Sequence, residues 1–291
     1  MTAIITVPPA LDDQTFEQVL EQLAALPLDA ELLIDARHTT WASPYGLTAL
    51  LTLAQSWAVK PTLRVPENGD TALYWSRTNF FRYADQLFEL QGTVPPAPAF
   101  VESSTLLEIT PIVRSDDVHT VVRHIEQKAS TILTEHLHLE SRAVMGFVMT
   151  LSELCQLVVE TAGCGGWVAA QNYAYRKQFG GRQIVQIAVC HAGLTVRDML
   201  RSSGQHPMDD GDAIETEAIR GTSRFPDHGR GQGFMGVRGY LNRWDGKLVV
   251  RSGTARVALI PAWDDDVART NNLTDFPGVQ TLVMIPEKVE R

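Results

Sequence analysis

A proline-rich segment divides this 291-residue chain into two parts of unequal length. Residues 92–104 read Gly-Thr-Val-Pro-Pro-Ala-Pro-Ala-Phe-Val-Glu-Ser-Ser, in which three of four consecutive residues are proline. Proline fixes the backbone angle φ and has no amide hydrogen, so such a run favours an extended, semi-rigid connection over a helix or an inner strand. We therefore predict a first domain over 1–92, a linker over 93–104 and a second domain over 105–291.

Strand and helix patterns alternate in the first part. Short apolar runs predict strands over 4–7, 32–34, 62–65 and 87–90. Apolar residues at helical spacing predict helices over 11–26, 46–58 and 70–83. This alternation predicts an α/β domain whose sheet is covered by helices on at least one face.

The second part has long helices followed mostly by strands. Predicted helices cover 116–136, 141–161, 196–202 and 234–244. Predicted strands cover 106–112, 167–175, 183–189, 247–252, 255–260 and 279–285, with a hairpin turn at Gly253-Thr254. Residues 204–229 form a long polar segment, inside which an acidic cap is expected before a short helix over 213–220. The order predicts an α+β two-layer sandwich.

Composition and charge narrow the function classes. The net charge of −9 argues against non-specific binding of nucleic acid or an anionic membrane. Pro8 and Pro9 interrupt the apolar N-terminus, so it does not read as a signal peptide, and we identify no apolar run near the ~20 residues of a membrane span. Cys155, Cys164 and Cys190 lack Cys-x-x-Cys spacing and are expected to be reduced and mostly buried. These features predict a cytoplasmic protein.

A glycine repeat precedes the last predicted helix. Gly229, Gly231 and Gly233 occupy every second position, and Arg230 lies between the first two. Glycines allow close backbone approach, and a helix N-terminus presents amide hydrogens and a positive dipole end, so this pattern is typical of a phosphate site. Such a loop also serves as a plain helix cap, and the pattern by itself leaves both interpretations open.

With this glycine box, the second part resembles the GHKL ATPases, the family of gyrase, Hsp90, histidine kinases and anti-sigma serine kinases. The resemblance covers about residues 106–291 and rests on three motif positions. The first position lies on the helix predicted over 141–161. Glu153 matches the family's catalytic Glu, and Leu157 stands where the family has a Mg²⁺-binding Asn. The resemblance implies an ATP cofactor, but leucine has no oxygen for Mg²⁺. The alternative is that Glu153 is an ordinary exposed helix carboxylate.

Two further motif positions belong to the same resemblance. The family's adenine-binding Asp-x-Gly-x-Gly reads His191-Ala-Gly193-Leu-Thr195 here, so a histidine replaces the Asp and a threonine the second glycine. The alternative is that His191 is only a polar residue at a strand end. Residues 209–228 match the family's ATP lid, in which Arg224 would join the glycine box in contacting phosphates. The alternative there is a solvated basic loop.

The first part resembles the STAS domain, the anti-sigma-antagonist module, over residues 32–51. That family has an Asp-Ser-Ser-Gly-Leu motif before a helix, and a partner GHKL kinase phosphorylates its second Ser. Here Ser43, Pro44 and Tyr45 precede Gly46, so Tyr45 occupies the acceptor position. Ser43 is expected to cap the helix, with Pro44 at its first position, rather than to accept phosphate.

These resemblances leave three functions open. The first is an ATP-binding regulatory protein of the partner-switching type, an ATPase or serine kinase with Glu153 as base if it is active. The second is a catalytically dead pseudo-ATPase that serves as a protein-binding scaffold, favoured by Leu157, His191, Thr195 and Tyr45. The third is a structural interaction protein without a nucleotide. The resemblances imply protein partners of the STAS or sigma-regulator type and a homodimer, and we expect neither nucleic acid nor a membrane as partner.

Overall fold

The computed structural model describes residues 2–27, 29–96, 106–116, 118–119, 123, 133–134, 140–174, 183–220 and 233–287. Most of the helix predicted over 116–136 and most of the linker predicted over 93–104 lie outside these ranges. Four predicted site residues, Arg224, Gly229, Arg230 and Gly231, also lie outside the described residues.

The first part contains a sheet of four parallel strands in the order β1-β3-β5-β6. Its elements in chain order are β1 Ala3–Thr6, β2 Ala10–Leu11, α1 Phe16–Leu23, β3 Leu32–Asp35, β4 Trp41–Ala42, α2 Pro44–Ser56, β5 Thr62–Arg64, α3 Gly69–Arg77, α4 Phe80–Leu87 and β6 Glu89–Gln91. The short strands β2 and β4 form a separate parallel pair that the sequence did not predict. Two residues are too few to produce a readable alternation.

A side-chain cap sets the start of α2, and a left-handed residue separates α3 from α4. The Ser43 hydroxyl accepts a hydrogen bond from the Gly46 amide at 3.1 Å, and Pro44 is the first residue of α2, as predicted. The prediction of one helix over 70–83 is wrong, because Asn79 takes a left-handed conformation (φ 63°) between α3 and α4. Asparagine adopts this conformation more readily than most residues, and it ends the helical pattern there.

The second part contains a seven-stranded antiparallel sheet in the order β12-β11-β10-β13-β9-β8-β7. Its elements are β7 Leu106–Ile112, α5 Ser141–Thr161, β8 Gly166–Ala174, β9 Gln183–His191, α6 Val196–Ser202, α7 Asp210–Ile214, a π-helix Glu215–Arg220, α8 Gly233–Arg243, β10 Lys247–Gly253, β11 Ala255–Leu259, β12 Arg269–Thr270 and β13 Phe276–Pro286. Gly253 turns between β10 and β11 with φ 59°, which confirms the predicted hairpin.

The segment predicted as one helix over 213–220 contains two kinds of helix. The α-helix α7 ends at Ile214, and the chain continues as a π-helix over Glu215–Arg220. The predicted acidic cap is confirmed, because the Asp209 carboxylate accepts a hydrogen bond from the Asp212 amide at 2.7 Å. The sequence did not indicate the π-helix, which has no distinct apolar period.

The seven-stranded sheet is buried on both faces, and β9 shows this residue by residue. Val185, Ile187 and Val189 face a core shared with α5 and α8. Ile184 and Cys190, on the opposite face, belong to a core shared with the first part of the chain. A strand buried on both faces reads as a continuous apolar run, which is the pattern of β9.

Helix α2 lies between the two sheets. All residues from Pro44 to Ala54 are buried, and α2 contacts β8, β9 and β13 as well as its own part of the chain. The Thr48 hydroxyl lies 3.3 Å from the Cys190 sulfur, and the Gln55 side chain hydrogen-bonds to Cys164 and Trp167. The two parts therefore share a continuous hydrophobic core across this helix.

One described helix is long and apolar enough to be considered as a membrane span. The stretch Val144–Thr161 of α5 has a mean hydropathy of 1.3 over 18 residues, which the sequence prediction overlooked. Within the fold, 56% of that stretch is buried against the sheet and its neighbours. This burial fits the core helix of a soluble protein. Cys155 and Cys190 are buried as expected, whereas Cys164 is exposed.

Candidate functional site

The residues that match the GHKL motifs lie on α5 and at the end of β9. Glu153 is partly buried on α5, and Leu157, one helical turn later, is 6% exposed and belongs to the core between α5 and the sheet. An apolar side chain in this core offers no ligand to a hard cation that binds oxygen. Mg²⁺ bound as in the family therefore does not fit at Leu157.

His191 ends β9 and is almost fully buried, with 1% of its surface exposed. Its Nδ1 accepts a hydrogen bond from the Gly193 amide at 3.1 Å, and its Nε2 lies 3.3 Å from the Thr161 hydroxyl. Because the Thr161 hydroxyl donates to the Leu157 carbonyl oxygen, Nε2 is the donor to Thr161. Burial lowers the pKa of His191 to about 4, so the ring is neutral at pH 7.

Both ring nitrogens of His191 are thus engaged within the protein. The adenine interaction predicted from the sequence needs an acceptor directed at the exocyclic amine, and Nδ1 is already occupied by the Gly193 amide. In this arrangement the ring connects the end of β9 to the last turn of α5. His191 therefore holds the end of β9 against the end of α5.

Gly193 has a steric reason for being glycine. A Cβ atom at this position would lie 2.3 Å from the Ala162 Cα and 2.3 Å from the Thr161 carbonyl oxygen. The neighbouring Leu194 amide donates to that same carbonyl oxygen at 3.0 Å. The turn after β9 therefore packs directly on the end of α5, where the backbone leaves no room for a side chain.

Thr195 stands at the second glycine position of the family motif and has a structural role here. Its hydroxyl accepts a hydrogen bond from the Asp198 amide at 3.1 Å. The Asp198 carboxylate accepts hydrogen bonds from the backbone amide and the hydroxyl of Thr195. This capping box begins α6. Where the family motif has a flexible glycine, this chain therefore has a threonine that caps a helix.

The structure brings His191 and Gly193 together at the C-terminal end of α5, but it does not place Glu153 there. Glu153 precedes Thr161 by eight residues, which corresponds to about 12 Å along a helix axis. Gly233, the last glycine of the box, is the first residue of α8, one residue earlier than the predicted start. The other box glycines and both predicted phosphate-binding arginines lie outside the described residues.

The start of the predicted lid is fixed to the sheet by ion pairs and hydrogen bonds. Arg269 pairs with Asp209 at 2.8 Å and with Glu215 at 3.1 Å. The Asp210 carboxylate accepts hydrogen bonds from the amide and the hydroxyl of Thr254, at 2.8 and 2.7 Å. Among the described residues, no group of three or more histidine, cysteine or acidic side chains could hold a metal ion.

The comparisons with known proteins give no relative. No family model, no curated protein and no solved structure matches this chain. The STAS and GHKL resemblances therefore rest on the quoted motif residues and on the order of the elements.

Tyr45, which matches the STAS acceptor position, is 1% exposed at the start of α2. Its ring packs edge-on against Phe16, whose ring in turn packs against Phe276 of β13. Burial raises the pKa of the Tyr45 hydroxyl well above its ordinary value, so the hydroxyl remains protonated. The acceptor position is thus enclosed between the two parts of the chain.

Sequence reasoning missed a set of ion pairs between the two parts. Arg251 of β10 is completely buried and donates from Nε to the Glu17 carboxylate of α1 at 2.7 Å. Arg256 of β11 binds Asp13 at 2.7 Å and also pairs with Asp266. The available sequence signal was the presence of cations inside strands that otherwise read as apolar.

The same network has a third cation at the first residue of β10. The Lys247 ammonium contacts Asp264 at 3.0 Å and Asp266 at 2.8 Å. Although burial opposes ionisation of Asp266, hydrogen bonds from Arg256 and Lys247 lower its pKa to about 2. Burial raises the pKa of Asp13 despite its contact with Arg256. Two of these pairs, Arg251 with Glu17 and Arg256 with Asp13, join the two parts through buried charges that need their partners.

A cavity of about 580 Å³ lies at the carboxyl ends of β3, β5 and β6. Arg37 and Arg64 line it, and both are directed toward Asp35, at 2.7 and 3.9 Å. The hydrogen bond from Arg37 lowers the pKa of the Asp35 carboxyl, so Asp35 is ionised and offsets much of their charge. Glu67, which also lines the cavity, lies 3.9 Å from Arg37, so the two carboxylates balance the two arginines instead of leaving positive charge for an anion.

Proposed function

We propose that this chain is a regulatory protein of the partner-switching type that carries out no Mg²⁺-dependent phosphoryl transfer and acts by binding other proteins. One observation supports the proposal most strongly. The two positions at which a STAS–GHKL pair would carry out that chemistry are both core residues, Tyr45 at 1% exposure and Leu157 at 6%.

The metal side of the argument concerns Leu157. Phosphoryl transfer depends on a metal ion that neutralises developing charge and aligns the phosphates. Leu157 packs among apolar residues of α5 and the sheet, so it contributes to folding instead of to metal binding. Without that ligand, Glu153 has no aligned phosphate to act on, and we assign it no catalytic step.

The acceptor side concerns the start of α2. Tyr45 has its hydroxyl inside the interface between the two parts, and Ser43 is buried while it caps the helix. A phosphate on either residue would place about two negative charges in a region that excludes water, at a large desolvation cost. Such a modification would require the two parts to separate first.

Regulation would therefore depend on which protein surfaces are exposed or covered. The STAS-like part covers the sheet of the GHKL-like part within one chain, and partners of the STAS or sigma-regulator type, or a second copy of the chain, bind to the docked form or compete with the docking. The protein would do so in the cytoplasm, where its reduced cysteines and acidic charge fit.

A turnover assay tests this proposal. The full chain is incubated with ATP and Mg²⁺, and ADP release and protein-bound phosphate are measured, the latter by mass spectrometry. We expect no ADP above the level of a Glu153→Gln variant and no phosphorylated residue. Mg²⁺-dependent turnover that Glu153→Gln abolishes would overturn the proposal.

Leu157→Asn examines the metal position by itself. The new amide restores the family's ligand but introduces a polar group into the core, at an expected cost of about 2–4 kcal/mol of folding free energy. Gln156→Asn, on the adjoining and more exposed face of α5, is the matched control and should change stability by less than about 1 kcal/mol. A Leu157→Asn protein of unchanged stability would contradict the core placement of this residue.

A second candidate, nucleotide binding without Mg²⁺, is favoured by the start of α8. This helix begins at Gly233, directly after the glycine repeat, so its N-terminal amides follow the proposed phosphate loop. Isothermal calorimetry with ATP or ADP, in Mg²⁺ and in EDTA, tests it. Equal affinity in both buffers, weakened by Arg224→Ala or Arg230→Ala, would support it, and no binding at millimolar nucleotide would eliminate it.

A further inference from the structure

A cleft of about 420 Å³ lies where the first part of the chain meets β8 of the second. Trp41, Asp70 and Tyr74 line it from the first part, and Gln171 and Tyr173 line it from β8. Ligand sites occur preferentially at such junctions, where two units contribute different groups to one concave surface.

Aromatic rings form the apolar walls of this cleft. The rings of Trp41 and Tyr173 have centroids 5.8 Å apart and an interplanar angle of 60°, so they meet as a corner. The Tyr74 hydroxyl lies 3.2 Å from that of Tyr173, which brings a third ring to the same cleft. The faces of aromatic rings carry partial negative charge and attract cations, most strongly for tryptophan.

The polar groups of the cleft include the Gln171 side chain and one carboxylate, that of Asp70. Gln171 Oε1 accepts hydrogen bonds from the hydroxyls of Tyr74 and Tyr173. Asp70 is exposed in the first turn of α3, and in the described part of the chain its carboxylate has no ion pair. None of the described residues that line the cleft is lysine or arginine. The described lining residues therefore carry one negative charge, that of Asp70.

We propose that this cleft binds a small organic cation of the quaternary or methylated ammonium class. Trp41 and Tyr173 would contact its methyl groups, and Asp70 would supply the opposite charge. A primary ammonium is strongly hydrated and needs several acceptors, whereas a methylated one is weakly hydrated and matches aromatic walls. A metal ion is disfavoured, because Asp70 is the only carboxylate among the described residues that line the cleft.

This binding site is independent of the proposed absence of phosphoryl transfer. Because its lining comes from both parts of the chain, a bound cation would contact both of them. Binding would therefore stabilise the docked arrangement by the ordinary linkage between ligand and folded state.

Calorimetry on the full chain with choline as probe tests the proposal. The control ligand is 3,3-dimethyl-1-butanol, which has the shape of choline without its charge. We expect saturable choline binding and an affinity for the neutral alcohol about tenfold lower, because the alcohol lacks the charge that the aromatic faces and Asp70 attract. Absence of choline binding, or equal affinity for the two ligands, would overturn the proposal.

Two variants locate the site. Trp41→Leu and Asp70→Asn should each weaken choline binding by about tenfold. Asp85→Asn, an exposed carboxylate on α4 outside the cleft, should leave the affinity unchanged. Thermal unfolding without choline identifies a variant that fails to fold, and Asp70→Asn keeps the test decisive because this residue is exposed. Equal losses for Asp70→Asn and Asp85→Asn would count against the assigned cleft.

Discussion

The Arg251 Nε lies 2.7 Å from the Glu17 carboxylate, and this pair joins a strand of the second part to a helix of the first. The arginine side chain is fully buried and also donates to the carbonyl oxygens of Gly253 and Thr274. Such a pair adds little net stability over an apolar replacement, because both charges lose their hydration. Removing one partner alone, however, leaves a buried charge without its counter-ion.

Removing the carboxylate of this pair should be costly. Glu17→Gln leaves the Arg251 charge buried without its counter-ion, and we expect a loss of about 3–5 kcal/mol in the free energy of unfolding. Urea denaturation followed by circular dichroism measures it. Glu21→Gln, an exposed carboxylate on the same helix α1, should change stability by less than about 0.5 kcal/mol. Similar small effects for the two variants would show that the docked pair is absent in solution.

The buried His191 ring predicts a specific acid sensitivity. Its pKa is about 4 in the fold against 6.5 for an ordinary histidine, so the unfolded chain takes up a proton that the folded chain does not. Stability is lost as pH falls from 6.5 toward 4, and at pH 4 this residue accounts for a loss of about 3 kcal/mol.

Paired variants separate this contribution from that of the carboxylates. His191→Gln can keep both hydrogen bonds but does not titrate, so its unfolding free energy should fall less steeply between pH 6.5 and 4 than that of the unmodified chain. His206→Gln replaces an exposed histidine and should retain the steep decrease. Identical pH profiles for His191→Gln and the unmodified chain would mean that the ring is accessible to protons.

Two glycine substitutions distinguish packing from ligand approach. Gly193→Ala forces a Cβ against the backbone of Thr161 and Ala162, and we expect a loss of more than about 2 kcal/mol. Gly239→Ala, where a Cβ meets nothing within 4 Å on α8, should instead stabilise the chain by about 0.5–1 kcal/mol. Thermal unfolding gives both values. A stable Gly193→Ala protein would favour a ligand as the reason for this glycine.

Periodic apolar patterns predicted most elements of the fold. The bounds of α5 and α6 agree with the sequence prediction, because each has strong helical spacing and, for α6, the Thr195 cap. The division of the helix predicted over 70–83 was missed, because the apolar spacing of the sequence continues across Asn79 and does not reveal its left-handed backbone. Short strands and the π-helix were missed for lack of any period.

The candidate site was less predictable than the fold. The motif match at His191 and Gly193 carried no information on the burial of the histidine ring or on the close packing of the turn against α5. The docking of the two parts depends on contacts such as Glu17 with Arg251, which are 234 residues apart. No local pattern encodes a pairing over that distance.

Hydrogen–deuterium exchange of the full chain tests whether α2 is enclosed between the two sheets. Amides in peptides that cover 44–56 should exchange only through unfolding of the whole chain, with protection close to the global free energy of unfolding. That protection should decrease in parallel with stability in Glu17→Gln. Rapid exchange of α2 while β9 and β13 remain protected would contradict the account, because it would mean that the start of α2 is open to partners and to modification.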